Sequence, residues 1–313
     1  MEHMSGTVRV SLPETSLCDA LLALGPLPTG VELVEWDFTE PPPVSNIDIV
    51  VPPYMGSESV YGALAQVTAR LVQSQSIGYD DVAGALPPGH VFANAASVHE
   101  SATAEIALAL VLAAQRGIPD FVRDGVARRW APRWHAGLAD RRVLLIGHGG
   151  VGTAIAERLR PFEVTITRVA QSARHDEFGA IHPTSELAAL LPDADIVIVA
   201  VPLTSATSGL IDAQFLALLS EETLVVNVAR GKIADTDAIL AEAISGRLRF
   251  ALDVTDPEPL PDGHPLFTLP NVLISPHIGG ASAAMSPRMA RLLRDQIERM
   301  LRGDEPRNVV LRS

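Results

Sequence analysis

The segment Arg142–Leu159, RVLLIGHGGVGTAIAERL, narrows the possible folds more than any other part of the chain. Its apolar run Val143–Ile146 reads as a strand buried in a parallel sheet, and Ile155 and Leu159 then recur at helical spacing. The period changes at the glycines. Gly147, Gly149 and Gly152 fit G-x-G-x-x-G: the first permits a sharp turn, the second lets backbone approach a pyrophosphate, and the third allows helix to pack closely on strand. The helix that opens here, with Gly150 and Val151 inside the motif, presents free N–H groups and the positive end of its dipole, which hold a phosphate without any lysine. A strand before the glycines and a helix after them favour a dinucleotide-binding turn over an unliganded glycine-rich loop.

The 313 residues suffice for two domains, and 47% hydrophobic against 19% charged residues is the balance of a globular chain with a large buried fraction. The formal net charge of -13 argues against a nucleic-acid backbone or an anionic membrane as partner, so an anionic ligand must be met by local arginines. Cys18, the only cysteine, excludes an internal disulfide and a cysteine-rich metal site; it fits a reducing compartment and reads as a small buried apolar residue. No metal is expected. The amino-terminal MEHMSGTVRV lacks a basic segment followed by a long apolar core, and the longest wholly apolar run, Ile106–Ala114, is well short of the roughly 20 residues that span a bilayer. A soluble, cytoplasmic protein is the expectation.

From Thr7 to Ser97 the runs TVRVSL, VELVEW, IDIVV, ARLVQS and HVFANA alternate with helical or turn-rich segments, the pattern of a parallel α/β unit. The loops at Pro52–Pro53 and at Ile77–Gly78 fall at carboxyl ends of strands, where ligands bind, although PPYMG reads equally as a stiff turn. A helix apolar on most sides covers Glu100–Arg116, with Ser101 or Thr103 as its cap and Glu105 in its first turn. The arginine-rich stretch Ile118–Arg142, with Trp130, Trp134 and His135, is open between a solvated linker and an oligomer contact. Beyond the glycine turn, strands EVTITRVA, DIVIVAVPL, TLVVNVA, RFALDV and NVLISP alternate with helices TSELAALLP, DAQFLALL and DAILAEAISG, the last closed by Gly246. A final helix, Ala284–Arg302, carries Met289, Leu292, Leu293, Ile297, Met300 and Leu301 on its apolar face and folds back onto the first domain. The expected fold class is α/β, with two Rossmann-like doubly wound parallel-sheet domains. A flavodoxin-like substrate (catalytic) domain takes residues 1–98 and 285–313, and the dinucleotide-binding domain takes 99–284.

Three charged groups fall at carboxyl ends of late strands: Arg230 after TLVVNVA, Glu258 after RFALDV and His277 after NVLIS. An arginine binds a carboxylate through two parallel hydrogen bonds, a histidine delivers a proton, and a nearby carboxylate favours the charged imidazolium. Singly each reads as a solvated strand end or turn residue. Together, at successive strand ends beyond a dinucleotide turn, they suit reduction of a 2-oxo acid.

The stretches VPLTSATSGLID, NVARGKIADTDAI, ALDVTDPEPLPDGHPL and SPHIGG resemble, in the right order, the D-isomer-specific 2-hydroxyacid dehydrogenase family, most densely from Ala102 to Gly280. The resemblance implies that Arg230 binds and orients substrate, that Glu258 pairs with His277, and that His277 is the acid and base. It implies further that Asp253 contacts the nicotinamide carboxamide and that Val201, Pro202, Val228, Ala229 and Gly279 line the cofactor. The backbone N–H groups of Ile77 and Gly78 would receive the substrate carboxylate beside Arg230. Thr255 departs from the bulkier residue usual after the DV pair.

A second departure bears on cofactor choice. NAD enzymes place an acid about 20 residues beyond the glycines, on the ribose hydroxyls. Here EVTITRVA is followed by Gln171, Ser172, Ala173 and Arg174, so Ser172 and Arg174 would meet a 2′-phosphate and NADPH is expected over NADH. His175 and Asp176 partly cancel the field of Arg174, and Arg168 is a weaker candidate. The expected activity is reduction of a small 2-oxo acid, such as glyoxylate or hydroxypyruvate, to its D-2-hydroxy acid by a homodimer. Phosphoglycerate, formate and phosphonate dehydrogenases remain alternatives, as does a dinucleotide-sensing, corepressor-like protein without turnover.

Overall fold

The computed structural model describes residues 7–56, 58–82 and 84–313; residues 1–6, which belong to the amino-terminal reading and to the first domain, lie outside the described residues. The chain divides into two compact units, one running to His99 and resuming over Ala281–Ser313, the other Glu100–Gly280.

In the first unit, strands β1 (Val8–Leu12), β2 (Val31–Glu35), β3 (Ile49–Val50), β4 (Leu71–Gln73) and β5 (Val91–Ala93) form a parallel sheet in the order 2-1-3-4-5. That is the flavodoxin-like order expected of it. The last strand, Val309–Arg312, adds antiparallel to β5. Val10, Ile49 and Leu71 are fully buried under the helices Thr15–Ala23 and Met285–Arg302, the latter contributing Met289, Leu293 and Ile297 to the same core. The final helix therefore does fold back onto the first unit. Gln296 Nε2 reinforces it by donating to Gln73 Oε1 at 2.7 Å. Leu301 is the exception to the predicted face: it is exposed, one position off the buried stripe. Cys18 is half-buried against this core.

The second unit contains β6 (Arg142–Ile146), β7 (Thr165–Ala170), β8 (Arg174–Asp176), β9 (Gly179–Pro183), β10 (Ile196–Val199), β11 (Leu224–Asn227), β12 (Arg249–Leu252) and β13 (Val272–Ile274). They lie in the order 13-12-11-10-6-7-9-8, all parallel except β8 against β9. Beside β6 the direction of winding reverses, and the crevice at the carboxyl ends of β6 and β10 is the binding position of a doubly wound sheet. β6, β10 and β11 read as near-continuous Val, Ile and Leu because helices cover both faces.

Three local expectations change. The helix Glu100–Arg116 begins at Glu100, so Ser101 and Thr103 lie inside its first turn, Thr103 buried, and the acid in that turn is Glu100 rather than Glu105. The hairpin β8–β9 was not expected, because the edge strand Arg174–Asp176 is polar and wholly exposed and offers no hydrophobic alternation. The stretch Ile118–Arg142 is partly helical, over Ile118–Val126, after which the chain is tied down by the buried Asp124 carboxylate, which accepts from Arg129 at 2.8 Å and from Arg133. Trp130 and Trp134 on that tethered segment are fully exposed.

Candidate active site

Gly147 adopts φ 106°, and a Cβ there would collide with the Ala200 carbonyl beyond β10; one on Gly152 would collide with the Gly147 carbonyl. Both glycines are required by backbone contact. A Cβ on Gly149 would meet nothing within 4 Å, so the turn leaves bare backbone there. The helix Gly150–Leu159 starts at once, and Thr153 N closes its first turn on Gly149 O at 2.9 Å. The N–H groups of Gly150, Val151 and Gly152 have no intrahelical acceptor. Bare backbone beside free donors at a helix N-terminus fits a dinucleotide pyrophosphate.

Val201 and Pro202 follow β10, and Val228 and Ala229 follow β11; Val228 N donates to Val199 O at 3.2 Å, tying the two strand ends together. Arg230 comes next. The buried Asn227 side chain grips this turn, donating to Arg230 O at 3.0 Å and accepting from Ala229 N at 3.0 Å, while Arg230 NH1 donates to Ala229 O at 2.8 Å. A Cβ on Gly231 would overlap the Thr255 carbonyl, so the loops that carry Arg230 and Glu258 cross in direct backbone contact.

Asp253, at the end of β12, is buried and organises the histidine loop. Its Oδ1 accepts from Ser275 Oγ at 2.6 Å and Ile278 N at 3.1 Å, its Oδ2 from Gly279 N at 2.9 Å, and its backbone oxygen from His277 N at 2.7 Å. His277 is held at φ 51°, in the left-handed region. Its Nδ1 is hydrogen-bonded to Glu258 Oε1, which leaves Nε2 as the atom for proton transfer. Thr103 abuts Gly279 from the helix Glu100–Arg116. The structure thus brings Arg230, Glu258, His277, Asp253 and Gly279 onto adjoining loops. Asn227, Gly231 and Ser275 complete the arrangement and were not singled out from sequence. Only the approach to Thr255 explains the glycine, and no local pattern announces that contact.

At the far end of β7, Gln171 and Ser172 are exposed, and Arg174 NH2 donates to His148 O of the glycine turn at 2.8 Å. Asp176 lies two residues beyond Arg174 on the same strand. Its carboxylate takes Arg168 NH1 at 2.6 Å, because the β8–β9 hairpin swings it back over β7. Ile77 and Gly78 lie in the other unit, after β4; Asn94 Nδ2 donates to Ile77 O at 2.8 Å. Among the described residues neither Ile77 N–H nor Gly78 N–H has an acceptor. Nearby, the Tyr54 ring of PPYMG stacks on His99 with centroids 5.4 Å apart, and His99 Nε2 contacts Gln75 O at 2.5 Å.

Residues 108–279 match the profile of the D-isomer specific 2-hydroxyacid dehydrogenase, NAD binding domain. The chain belongs to this family. It is similar to the glyoxylate reductase of Pyrococcus furiosus, 36% identical over 77% of this chain and 75% of that protein. It is also similar to the human glyoxylate reductase/hydroxypyruvate reductase, 33% identical over 87% and 89% of the two chains. Among solved structures, a D-isomer specific 2-hydroxyacid dehydrogenase from Xanthobacter autotrophicus Py2 in complex with NADPH and MES superposes with a TM-score of 0.83 at 26% identity, covering 98% of each chain. An NADPH-dependent glyoxylate/hydroxypyruvate reductase from Sinorhizobium meliloti, in complex with NADP and malonate, gives 0.78 at 26% identity over 97% of each. Membership makes this chain a nicotinamide-dinucleotide oxidoreductase acting on the CH–OH group of 2-hydroxy acids.

Proposed function

We propose that this chain reduces glyoxylate, hydroxypyruvate or a close relative to the D-2-hydroxy acid, with NADPH preferred. The observation that carries the reading is the His277–Glu258 pair, with the Glu258 loop in backbone contact with that of Arg230, in a chain with glyoxylate and hydroxypyruvate reductases as relatives. The glycine turn and the first turn of the helix Gly150–Leu159 would hold the pyrophosphate, and bound NADPH supplies the hydride. Arg230 pairs with the substrate carboxylate through its planar fork and draws charge toward the adjacent carbonyl. His277 Nε2 protonates the carbonyl oxygen as negative charge grows there, and Glu258 holds Nδ1–H and steadies the ring through the transfer. Asp253 fixes the loop so that the imidazole does not drift. The free N–H groups of Ile77 and Gly78 are donors for an anionic oxygen.

The preference for NADPH rests on Ser172 and Arg174, with no carboxylate at the end of β7 itself. A homodimer is supported by the exposed Ile118, Phe121, Val122, Val126, Trp130 and Trp134, an apolar set that a second copy would cover. The single cysteine and the net charge of -13 support a cytoplasmic location with neither membrane nor nucleic acid as partner. The test is loss of reduced-nicotinamide absorbance over a panel of 2-oxo acids with each cofactor. Turnover fastest on glyoxylate or hydroxypyruvate with NADPH supports the reading. Fastest turnover on another acid overturns the substrate assignment, and cofactor binding with no turnover on any acid overturns the enzymatic one.

A further inference from the structure

Four charged or titratable groups gather where β7, the β8–β9 hairpin and the glycine turn meet, and no step above uses three of them. Arg168, on β7, has a side chain only 5% exposed; its NH1 donates to Asp176 Oδ2 at 2.6 Å and its NH2 reaches Ala180 O at 3.4 Å. Asp176, on β8, also takes Phe178 N–H on Oδ1 at 2.9 Å. His148, in the glycine turn, lies with Nε2 3.4 Å from the same Asp176 Oδ2 and 3.4 Å from Arg168 NH1. Its Nδ1 is buried and has no hydrogen-bond partner among the described residues. Arg174 completes the group through its bond to His148 O.

Within this cluster the Arg168–Asp176 pair balances, and Arg174, bonded only to a backbone carbonyl, leaves a net positive charge. The Arg168 guanidinium beside Asp176, with the Phe178 N–H, holds the carboxyl well below the usual carboxylate range, so Asp176 is ionised at every working pH. Burial draws His148 down from its ordinary value, the Asp176 carboxylate opposing and Arg168 and Arg174 adding to the effect, so the imidazole is neutral at pH 7. One anion, Asp176, therefore faces one buried cation, Arg168, against the wall of the glycine turn. In doubly wound sheets a carboxylate at this edge accepts from the ribose hydroxyls and repels a 2′-phosphate. Here the carboxylate arrives from the hairpin, beyond the position where a sequence motif would look for it, and it arrives already paired. Arg168 is too buried and too engaged to be a phosphate ligand. Its effect on a ligand must pass through the carboxylate.

We propose that Asp176 is a masked discriminating carboxylate, and that Arg168 is the positioning residue that masks it. On this assignment the Arg168–Asp176 pair, seated against His148, sets how strongly the site favours a 2′-phosphate over a 2′-hydroxyl. The proposal deepens the cofactor reading above and rests on it for where the adenosine ribose binds.

The test is the ratio of NADPH to NADH affinity, measured as two dissociation constants by nicotinamide fluorescence on the intact protein. Asp176→Asn keeps the shape and removes the anion, leaving the Arg168 charge unbalanced; the ratio should move toward NADPH by about tenfold. Arg168→Gln unmasks the carboxylate; the ratio should move toward NADH by about the same factor. The double variant should return to within about threefold of the parent. Loosening of the turn would weaken both dinucleotides together and leave the ratio fixed, so opposite shifts in the two single variants separate charge from structure. Asp176 is partly exposed, so its amide variant retains the fold and decides the matter alone if Arg168→Gln does not fold. A ratio within about threefold of the parent in Asp176→Asn overturns the proposal. A parent that favours NADH overturns the NADPH reading instead, and opposite shifts in that parent would still uphold the pair.

Discussion

Gly231→Ala probes the site without touching any group that contacts substrate. The added Cβ would intrude on the Thr255 carbonyl by more than an ångström beyond the 3.0 Å that such atoms keep, and the obstacle is backbone, which cannot rotate aside. The loops bearing Arg230 and Glu258 must part by about 1 Å, and a misplacement of that size costs roughly 10²-fold in rate even when every reacting group is present. Overpacking of this kind also lowers stability by about 1–3 kcal/mol. The glycine turn follows β6, two strands from β11 in the sheet, so NADPH affinity should fall far less than the rate. Steady-state kinetics on glyoxylate, cofactor titration and thermal unfolding separate the three quantities. A variant that unfolds normally and retains parental kcat/KM would refute the view that this backbone crossing sets the spacing of Arg230 from Glu258 and His277.

Gly149→Ala should unfold at the parental temperature, since its Cβ meets no protein atom within 4 Å, yet bind NADPH at least tenfold more weakly by fluorescence titration because the methyl occupies the approach to the pyrophosphate. His277→Ala should lower kcat by roughly 10²- to 10⁴-fold with cofactor affinity nearly unchanged, read by kinetics beside the same titration. Arg230→Lys should chiefly raise KM for the oxo acid, because a point charge replaces a planar fork, and a panel of initial rates checks it. His148→Gln should flatten the dependence of stability on pH. The buried imidazole titrates below its ordinary value of 6.5, so the unfolded chain binds more protons and the parent loses stability as pH falls through 6.5 toward the lowered folded value. Denaturant midpoints at several pH values in that window report the difference.

Much of this was legible in the sequence because it is written in contiguous runs. The glycine turn announces itself by a change of period between Ile146 and Ile155, the final helix by its apolar stripe, and Gly246 by its place after DAILAEAIS, where it does close the helix at φ 74°. Arg230, Glu258 and His277 are legible because each lies in the loop that follows a strand of strong pattern. What stayed hidden depends on residues distant in sequence. The β8–β9 hairpin carries almost no apolar signal, so the pairing of Asp176 with Arg168 is not legible in the sequence. Asn227 sits inside a strand-like run, where a polar residue reads as an interruption until its two bonds to the Arg230 turn are seen. Ser101 and Thr103 looked like caps by residue type, and the helix simply starts earlier.

The return of the helix Met285–Arg302 to the first unit sets an order on the ribosome. The second unit, Glu100–Gly280, is continuous in sequence and holds all its own strands, so it can close as soon as it has emerged. The β1–β5 sheet is translated earlier but must wait, because Met289, Ala290, Leu293 and Ile297, which cover part of its apolar face, are made after the whole second unit. The half synthesised first is thus the half completed last. During translation its uncovered valines and leucines are the surface on which a chaperone would act.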